Sequence, residues 1–354
     1  CGMPHGLYSN GGRMNKKIIA FGEIMLRLNP HEYYRFSQAD DFAATYTGAE
    51  ANVCAALSLY GCSTEFVTAV PDNDIADCAL QTMKKYGVGV SHVQRRGPRL
   101  GVYYLEKGAS QRPSKVIYDR RFSSFSYAQP EDFDWDEILR GADWFHFTGI
   151  TPPLGDRLPE ICEEACLAAK RSGVKISIDL NYRKSLWNTE EAQAVMTKLA
   201  GYADVIFGNE EDAEKCLGIS AGCSDVIQGR LEHAGYEASA RKVAERFGCE
   251  KVVYTLRTSI SASDNKFQGM IYSGGETIFS RSYDMHIVDR VGGGDSFAAA
   301  AIFSMLRGDD AATVVEFATA ASCLKHSIMQ DYNLSTVKEI EALMNGDGSG
   351  RVQR

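Results

Sequence analysis

The sequence predicts a three-layer α/β/α fold, in which helices cover both faces of a mostly parallel sheet. Short apolar strands alternate with longer amphipathic helices through most of the chain, and glycine follows several of these helices. Repeated β-α units of this kind give a parallel sheet that is buried on both faces. Two aromatic-rich segments interrupt the alternation, and they predict a small separate sheet beside the main one.

The elements of the main layer follow from apolar spacing and from turn residues at their ends. Predicted strands are 18–21, 64–70, 144–148, 175–179, 205–208 and 251–256. Predicted helices are 49–60, 75–86, 158–172, 190–202, 210–216, 239–247, 297–306 and 311–327. Gly61, Gly87 and Gly173 are expected to end three of these helices. Residues 221–235 are predicted to form a flexible loop.

The two interruptions lie within residues 24–47 and 100–127, where aromatic and polar residues alternate. Such alternation is typical of strands with one covered face. A sheet beside the open end of an α/β core can act as a lid that excludes water during a transfer reaction. The alternative is a pair of ordinary surface hairpins. The density of Tyr and Arg in these segments favours the lid.

Composition limits the class of protein. The chain has 354 residues, of which 44% are hydrophobic, and this is enough for one large α/β domain. A net charge of −8 disfavours nucleic acid as a partner, because binding phosphates needs clustered Lys and Arg. No apolar run is long enough to span a bilayer, so no membrane association is expected. The ten scattered cysteines are expected to be buried thiols of a cytoplasmic protein.

The ends of the chain differ from the rest. Residues 1–13 are rich in glycine and lack the apolar core of a signal peptide. We expect them to be a disordered extension or a cloning remnant. The remaining chain is predicted to form a single domain over residues 14–345, followed by a C-terminal tail at 346–354.

The most informative motif is Gly292-Gly293-Gly294-Asp295, which precedes a helix of small and apolar residues. Bare backbone N–H groups at a helix N-terminus can hold an anion. Asp295 would repel a bound phosphate, so a role as phosphate ligand makes little sense. It suits a general base that removes the proton from a hydroxyl attacking a phosphoryl group. The alternative, a bare turn, is disfavoured by the adjoining carboxylate and helix.

Other polar groups stand where strands end or helices begin. Gly48 and Asn52 open a helix and could meet a ligand hydroxyl, although a plain helix start explains them equally well. Arg183 follows the strand 175–179, at the carboxyl edge where α/β proteins bind ligands. Its fork could clamp a carboxylate or a phosphate, the alternative being a solvated side chain. Asn209 and Asp212 follow the strand 205–208 and could hold Mg²⁺ through water, cap a helix, or do both.

Tyr103, Tyr118 and Arg120 lie in the predicted lid strands. Exposed tyrosines on edge strands often reflect β-propensity alone. If the three side chains face one cleft, they suit a polar, anionic sugar.

These segments together resemble the ribokinase-like, or PfkB, family of carbohydrate kinases, from Met14 to about Asn345. The resemblance is carried by Gly22-Glu23, by residues 48–52 and 209–212, and by the stretch 289–295. Within the family the chain is most similar to the 2-keto-3-deoxygluconate kinases, on residues 47–53, 118–120 and 179–183. Kinases of neutral sugars have less reason to carry Arg120 and Arg183.

The resemblance implies a ribokinase-like fold and an ATP- and Mg²⁺-dependent phosphorylation of a terminal hydroxyl. The expected substrate is a small sugar acid, 2-keto-3-deoxygluconate, converted to its 6-phosphate. Asp295 would be the base, and the amides of Gly292, Gly293 and Gly294 would stabilise the transferring group. The sugar acid would contact Gly48, Asn52, Tyr103, Tyr118, Arg120, Arg183 and Asp295.

The nucleotide side follows from the same resemblance. Asn209, Thr255, Arg257, Gly292 and Gly294 would contact the nucleotide. Asp212 would hold Mg²⁺ through water, and Asp289 would bind a monovalent cation. A homodimer formed through the lid sheet is expected, because exposed edges of lid strands often pair with another subunit.

The sequence departs from the family pattern at four places. Gly293 stands where the family usually has Ala, and Thr47 where it often has Gly. Asp212 replaces the more common Glu, which shortens the reach to Mg²⁺. Residues 255–263 replace a glycine-rich turn, and Arg257 is expected to supply a side-chain charge in place of backbone donors.

Three alternative functions are open at this point. A fructokinase or ribokinase would act on a neutral sugar. A non-catalytic sugar-binding protein on the same fold would explain the altered residues 255–263, but it would have no need of Asp295. A dinucleotide-dependent dehydrogenase is disfavoured, because Gly292-Gly293-Gly294 lies near the C-terminus and lacks the spacing of a dinucleotide fingerprint.

Overall fold

The computed structural model describes residues 14–220 and 230–348. The predicted extension at 1–13 and the last six residues of the predicted tail lie outside these ranges. The strands are β1 (Lys17–Phe21), β2 (Met25–Asn29), β3 (Ala43–Thr47), β4 (Ser63–Val67), β5 (Ala69–Val70), β6 (Gln94–Arg95), β7 (Gly101–Glu106), β8 (Lys115–Asp119), β9 (Trp144–Thr148), β10 (Lys175–Asp179), β11 (Val205–Gly208), β12 (Lys251–Ser259), β13 (Asp264–Ser273), β14 (Glu276–Phe279) and β15 (Tyr283–His286).

The helices cover the sheet, and most of the predicted ones lie close to their predicted bounds, although α7 begins nine residues early and α3 was not predicted. They are α1 (Ala49–Leu59), α2 (Asp74–Lys85), α3 (Trp135–Ile138), α4 (Leu158–Arg171), α5 (Thr189–Ala200), α6 (Glu210–Leu217), α7 (Arg230–Phe247), α8 (Gly293–Arg307), α9 (Ala311–His326) and α10 (Val337–Met344). Gly61, Gly87 and Gly173 adopt positive φ after α1, α2 and α4, as predicted for helix ends.

The main sheet has a parallel half and an antiparallel edge. Strands β4, β1, β9, β10, β11 and β12 run parallel in that spatial order, and β13, β14 and β15 continue the sheet antiparallel. In the register of β9, β10 and β11, Asp179 lies beside Thr148 and Phe207. The carboxyl ends of these strands therefore meet at one edge, where ligands bind in α/β folds.

Two apolar cores lie on opposite faces of this sheet, which confirms the three-layer prediction. Ile19 and Phe21 point towards α4 and α5, whereas Ile18 points towards α1, α8 and α9. Adjacent strand residues face opposite sides, so a parallel sheet covered twice needs apolar residues at nearly every position. Full burial of a side chain such as Phe21 contributes about 1.5–3 kcal/mol to folding.

The predicted lid is also present. Strands β3, β2, β7 and β8 form a separate four-stranded sheet in that order. These strands fall within the two predicted segments, and a short connection joins β2 to β1 of the main sheet. One side of the lid faces the carboxyl edge of the parallel strands, and this places a cleft between the two sheets.

Several boundaries differ from the prediction for tertiary reasons. The predicted strand 64–70 is divided into β4 and β5, because β5 leaves the main sheet to pair with β6. Strand β12 continues to Ser259, because its pairing with β13 continues to that residue. The antiparallel strands β13, β14 and β15 and the helix α10 were not predicted. The last six residues of the predicted loop 221–235 are helical in α7, and its first nine lie outside the described residues.

Across the two described ranges, no helix is both long enough and apolar enough to cross a membrane. The cysteines described there are unpaired thiols, most of them buried.

Candidate active site

A cleft of about 460 Å³ lies between the lid and the carboxyl edge of the parallel strands. It gathers almost all of the predicted site residues from seven separate stretches of the chain. Those that line it are Gly48, Asn52, Tyr103, Tyr118, Arg120, Arg183, Asn209, Asp212, Thr255, Gly292, Gly293, Gly294 and Asp295. Arg257 and Asp289 lie outside the lining, and the structure places both behind the glycine loop.

The N-terminus of α8 opens into this cleft. Gly292 adopts φ +84°, and a Cβ there would lie 2.0 Å from the backbone oxygen of Asp331, so only glycine fits. Gly294 is exposed, with open space where its side chain would be. Within the described chain no side chain caps this helix. The first N–H groups of a helix have no partner inside it, so this N-terminus can receive an anion.

Asp295 lies in the first turn of α8 with its carboxylate facing the cleft. Asn52 Nδ2 donates to Asp295 Oδ2 at 2.7 Å, which fixes one oxygen and leaves the other for a ligand. Burial raises the pKa of Asp295 to about 8, and the neighbouring acids Asp179 and Asp331 add to the shift while the Asn52 bond opposes it. A pKa near neutrality is what a general base requires.

A chain of hydrogen bonds supports Asn52 from behind. Thr47 Oγ1 lies 2.7 Å from Asn52 Oδ1 and 2.9 Å from Asp331 Oδ2, so these two acceptors share one hydroxyl proton. Tyr103 donates its hydroxyl proton to the same Asp331 oxygen at 2.7 Å. The departure from Gly at position 47 therefore has a structural role, because the hydroxyl of Thr47 links the base to the lid.

Arg27 anchors this series of hydrogen bonds, although the sequence did not predict it as a site residue. It lies fully buried on lid strand β2, donating to Asp289 Oδ2 at 2.7 Å and forming a short ion pair with Asp331. The alternation of β2 places Arg27 on the same covered face as Met25 and Asn29. An arginine on a covered strand face needs acidic partners. The position of Arg27 in the alternating pattern of β2 could therefore have indicated a buried ion pair.

The lid residues predicted to bind the substrate have protein partners as well. Arg120 donates to Glu23 Oε2 through Nε at 2.9 Å and Nη2 at 2.5 Å, and Ser123 donates to the other oxygen of Glu23. The guanidinium also lies 5.5 Å from the ring centre of Tyr118. The charge of Arg120 is thus already balanced by Glu23, a residue that the sequence had not assigned to the site.

Arg183 differs from Arg120 in this respect. Its recorded hydrogen bond is to the backbone oxygen of Tyr182 at 2.9 Å, and it forms no ion pair with a carboxylate in the described ranges. The side chain is exposed at the cleft wall. It is therefore available to an anionic group of a ligand.

An acidic group lies beside Arg183. Burial, with the charge of Asp212, raises the pKa of Asp179 to about 7, and burial raises that of Asp212 to about 6, while the charge of Arg183 opposes both shifts. Asp212 accepts from the Tyr182 amide at 3.0 Å, and Asn209 caps α6 by accepting from the Asp212 amide at 2.8 Å. Both predicted roles of Asn209 and Asp212 thus remain compatible. Among the described residues no cluster of three or more acidic, His or Cys side chains forms a metal cage.

Glu50 is a further buried acid at the base of the cleft. Its Oε1 accepts from the Thr148 amide at 2.9 Å and from the hydroxyls of Thr148 and Thr151 at 2.8 Å each. Desolvation raises the pKa of Glu50 despite these bonds. A Cβ on Gly48 would lie 2.0 Å from the Glu23 backbone oxygen, so the glycine before α1 is needed for packing and not only for ligand approach.

The part of the cleft that the resemblance predicts to bind the nucleotide departs from the family pattern in a coordinated way. Arg257 Nη2 lies 3.0 Å from His326 Nε2, and burial lowers the pKa of Arg257 to about 10. The His326 ring takes up the space next to Gly293, where a Cβ would lie 2.3 Å from its Cε1. Glycine at 293 is therefore required by His326. Arg290 lines the cleft nearby. Within the described residues neither Arg290 nor Arg257 forms an ion pair.

Comparison with known proteins agrees with this geometry. The sequence profile of the pfkB family carbohydrate kinases matches residues 15–333. A crystal structure of 2-dehydro-3-deoxygluconokinase from Thermotoga maritima superposes with a TM-score of 0.91 and 49% identity, covering 94% of this chain and 99% of that one. A 2-dehydro-3-deoxygalactonokinase from Haloferax volcanii is 28% identical over 95% of this chain and 99% of its own length. A 2-dehydro-3-deoxygluconokinase from Thermoproteus tenax is 26% identical over 92% of this chain and 94% of its own.

The match covers the parallel sheet, the lid strands and the glycine loop with its aspartate. It excludes the dehydrogenase considered above, and the kinase-named relatives support an enzyme over a non-catalytic binding protein. The chain belongs to the pfkB family of carbohydrate kinases.

Proposed function

We propose that this kinase transfers the γ-phosphoryl group of ATP to the terminal hydroxyl of a small sugar acid. The substrate we favour is 2-keto-3-deoxygluconate, with its 6-phosphate as product. The carrying observation is Arg183, which faces the same cleft as the candidate base Asp295 and forms no ion pair with a carboxylate among the described residues. The name of the Thermotoga maritima relative supports the same substrate class.

Asp295 accepts the proton of the attacking hydroxyl. Asn52 holds one carboxylate oxygen at 2.7 Å, so the other is the one that faces the substrate. A pKa of about 8 makes this carboxylate a stronger base than an exposed aspartate, while a useful fraction stays ionised near neutral pH. The terminal oxygen then attacks phosphorus in line as the proton moves to Asp295.

The amides at the start of α8 stabilise the charge on the transferring group. They are fixed before the reaction by the backbone of α8 and by the packing of Gly292 on Asp331, so no reorganisation is needed during transfer. Asp212, with Asp179 beside it, supplies carboxylate oxygens suited to Mg²⁺, and burial is the main cause of the raised pKa values of the two acids. Bound Mg²⁺ would neutralise phosphate charge. Asn209 and Thr255 border the nucleotide from the same side.

The pairing of Arg120 with Glu23 favours a second candidate, a kinase of a neutral sugar such as fructose or ribose. In that case Arg183 would contact phosphate and the lid arginine would only shape the cleft. A coupled assay of ADP release separates the two over a panel of 2-keto-3-deoxygluconate, 2-keto-3-deoxygalactonate, gluconate, fructose and ribose. The proposal requires the highest kcat/KM on one of the two keto acids.

Arg183→Ala is the direct test of the carboxylate contact. Loss of a charge-assisted hydrogen bond worth about 1.5–3 kcal/mol predicts a rise in sugar-acid KM of roughly ten- to a hundredfold. The KM for ATP should stay near its original value. Lys184→Ala, an exposed neighbour, is the matched control. A rise in KM for ATP instead of the sugar acid would assign Arg183 to the nucleotide.

We also propose that two copies pair through the lid sheet. Strand β8 is an edge of that sheet, and it exposes Val116, Ile117 and Tyr118. An exposed apolar edge strand is a natural pairing surface. Light scattering after gel filtration should give the mass of a dimer, and Ile117→Lys should give a monomer. Leu167→Lys, an exposed position on α4, should leave the dimer intact.

A further inference from the structure

Lys325 is a fully buried lysine for which the transfer chemistry above has no role. It is the penultimate residue of α9, and its ammonium group donates to the backbone oxygens of Asp289 at 3.2 Å and Ile328 at 3.3 Å. Within the described ranges it forms no direct ion pair. Burial of an ammonium costs several kcal/mol unless the site compensates it, so the position calls for an explanation.

The surroundings of this ammonium are those of a cation site. The loop before α8 docks on the C-terminal end of α9, where the Val288 amide donates to the His326 oxygen at 2.8 Å and the Ile328 amide to the Lys325 oxygen at 2.9 Å. The C-terminal end of a helix carries partial negative charge. Converging backbone oxygens are the ligands that replace the hydration shell of K⁺. Here the ammonium of Lys325 already lies among them.

The side-chain carboxylate of Asp289 already accepts three hydrogen bonds. Asp289 accepts from Arg27 at 2.7 Å, from the Gln330 amide at 3.1 Å and from the Val291 amide at 3.2 Å. Two buried acids, Asp289 and Asp331, face two buried bases, Arg27 and Lys325, and the buried Lys107 adds a further positive charge near Asp289, so the acids are already fully compensated. A further cation would bring uncompensated charge into a buried place. The residues present therefore do not fit the monovalent cation that the family resemblance implied at Asp289.

We propose that the Lys325 ammonium is a built-in replacement for that cation, and that this kinase needs no monovalent cation. Lys325 is a positioning residue. It holds the Asp289 carbonyl, and Asp289 in turn holds the Val291 amide next to Gly292. The charge thereby fixes the loop from which the anion-binding amides of α8 begin. The inference rests on the kinase activity of the family and does not depend on which sugar is the acceptor.

The wild-type enzyme gives the first test. Turnover is measured with saturating Mg–ATP in about 0.1 M tetramethylammonium chloride, and again in KCl, NaCl or NH₄Cl at equal ionic strength. Equal ionic strength keeps salt screening the same in all buffers. Turnover rates that agree within about twofold therefore support the proposal. Activation by KCl of about tenfold or more would overturn it.

Lys325→Met gives the second test. In tetramethylammonium chloride we expect kcat to fall about ten- to a hundredfold, the range seen when an outer partner that orients a charged site is lost. The KM for the sugar should not change, and KCl or NH₄Cl should restore most of the lost turnover. Lys338→Met, an exposed position on α10, should behave as wild type in every buffer. A Lys325→Met enzyme whose turnover ignores K⁺ and NH₄⁺ contradicts the proposal.

A melting experiment keeps the test independent of substrate identity. The Tm of the wild type should be equal in KCl and tetramethylammonium chloride, whereas Lys325→Met should melt higher in KCl, because an ion that binds only the folded state stabilises it. No such difference for Lys325→Met would reject the cation site. If this variant does not fold, the wild-type comparison decides alone. Failure to find a sugar acceptor would affect the turnover assays and leave the melting result intact.

Discussion

Substitution Asp295→Asn should make the enzyme inactive and more stable at the same time. The variant keeps the shape of the side chain and removes its ability to accept a proton, so we expect kcat to fall by about 10²–10⁴-fold. Substrate KM should change little, because the base acts in the transition state. The stability gain follows from the environment of the carboxylate, which burial and neighbouring acids hold at a pKa of about 8 against an ordinary 3.8.

The sign and size of this stability change follow from the difference between the pKa of Asp295 in the folded and the unfolded protein. Between pH 3.8 and 8 the folded protein binds a proton at Asp295 that the unfolded chain has lost, so the free energy of unfolding falls as pH rises through this range. The full difference in pKa corresponds to about 6 kcal/mol at 1.36 kcal/mol per tenfold change. Because the carboxyl faces an open cleft, we expect about 1–3 kcal/mol to be measured at pH 8. Asparagine does not ionise and escapes this penalty.

Urea unfolding of the two proteins at pH 5 and pH 8 measures the effect. The stability difference in favour of Asp295→Asn should be larger at pH 8 than at pH 5. Asp72→Asn, at an exposed position, controls for the general change in charge. The reasoning fails if Asp295→Asn is no more stable than wild type at pH 8, or if the difference shrinks as pH rises.

Three further outcomes follow from the same site. The kcat/KM of the wild type should rise with pH, reach half of its plateau near pH 8 and level off above about pH 9, since the base works only when ionised. A profile that is flat from about pH 6 to 9 would remove Asp295 from that role. Gly293→Ala should lower the free energy of unfolding, measured in urea, by about 1–3 kcal/mol, because the added methyl group collides with His326. The double variant with His326→Ala should recover most of this loss. A Gly293→Ala protein as stable as the wild type contradicts the packing argument. Thr47→Val removes the hydroxyl shared by Asn52 and Asp331, so stability should fall by about 1–3 kcal/mol and kcat should fall with it, whereas Thr47→Ser should keep both.

The local signals in the sequence were sufficient for the architecture. Period-two and helical patterns, together with glycine at helix ends, predicted the parallel strands and most helices within a few residues, because each element buries an apolar face against its neighbours. The glycine run before Asp295 predicted the anion-binding N-terminus, since helix geometry alone exposes those amides. The aromatic alternation at 24–47 and 100–127 also predicted the small lid sheet beside the main one.

Partnerships across long distances in the chain were decided by the tertiary structure. Arg27 meets Asp289 and Asp331, which lie 262 and 304 positions away, and nothing near Arg27 in sequence identifies these partners. Arg120 and Arg183 were equivalent as sequence features, yet Arg120 is balanced by Glu23, whereas Arg183 forms no ion pair in the described part of the chain.

The sequence by itself determined which backbone segments carry the chemistry, because secondary structure and helix-end anion binding depend on neighbours within a few residues. Only the tertiary structure decided which charges are already neutralised inside the protein. Electrostatic balance at Lys325, Arg27 and the two buried aspartates depends on distances between distant segments, and these distances exist only once the lid, the sheet and α9 have packed together.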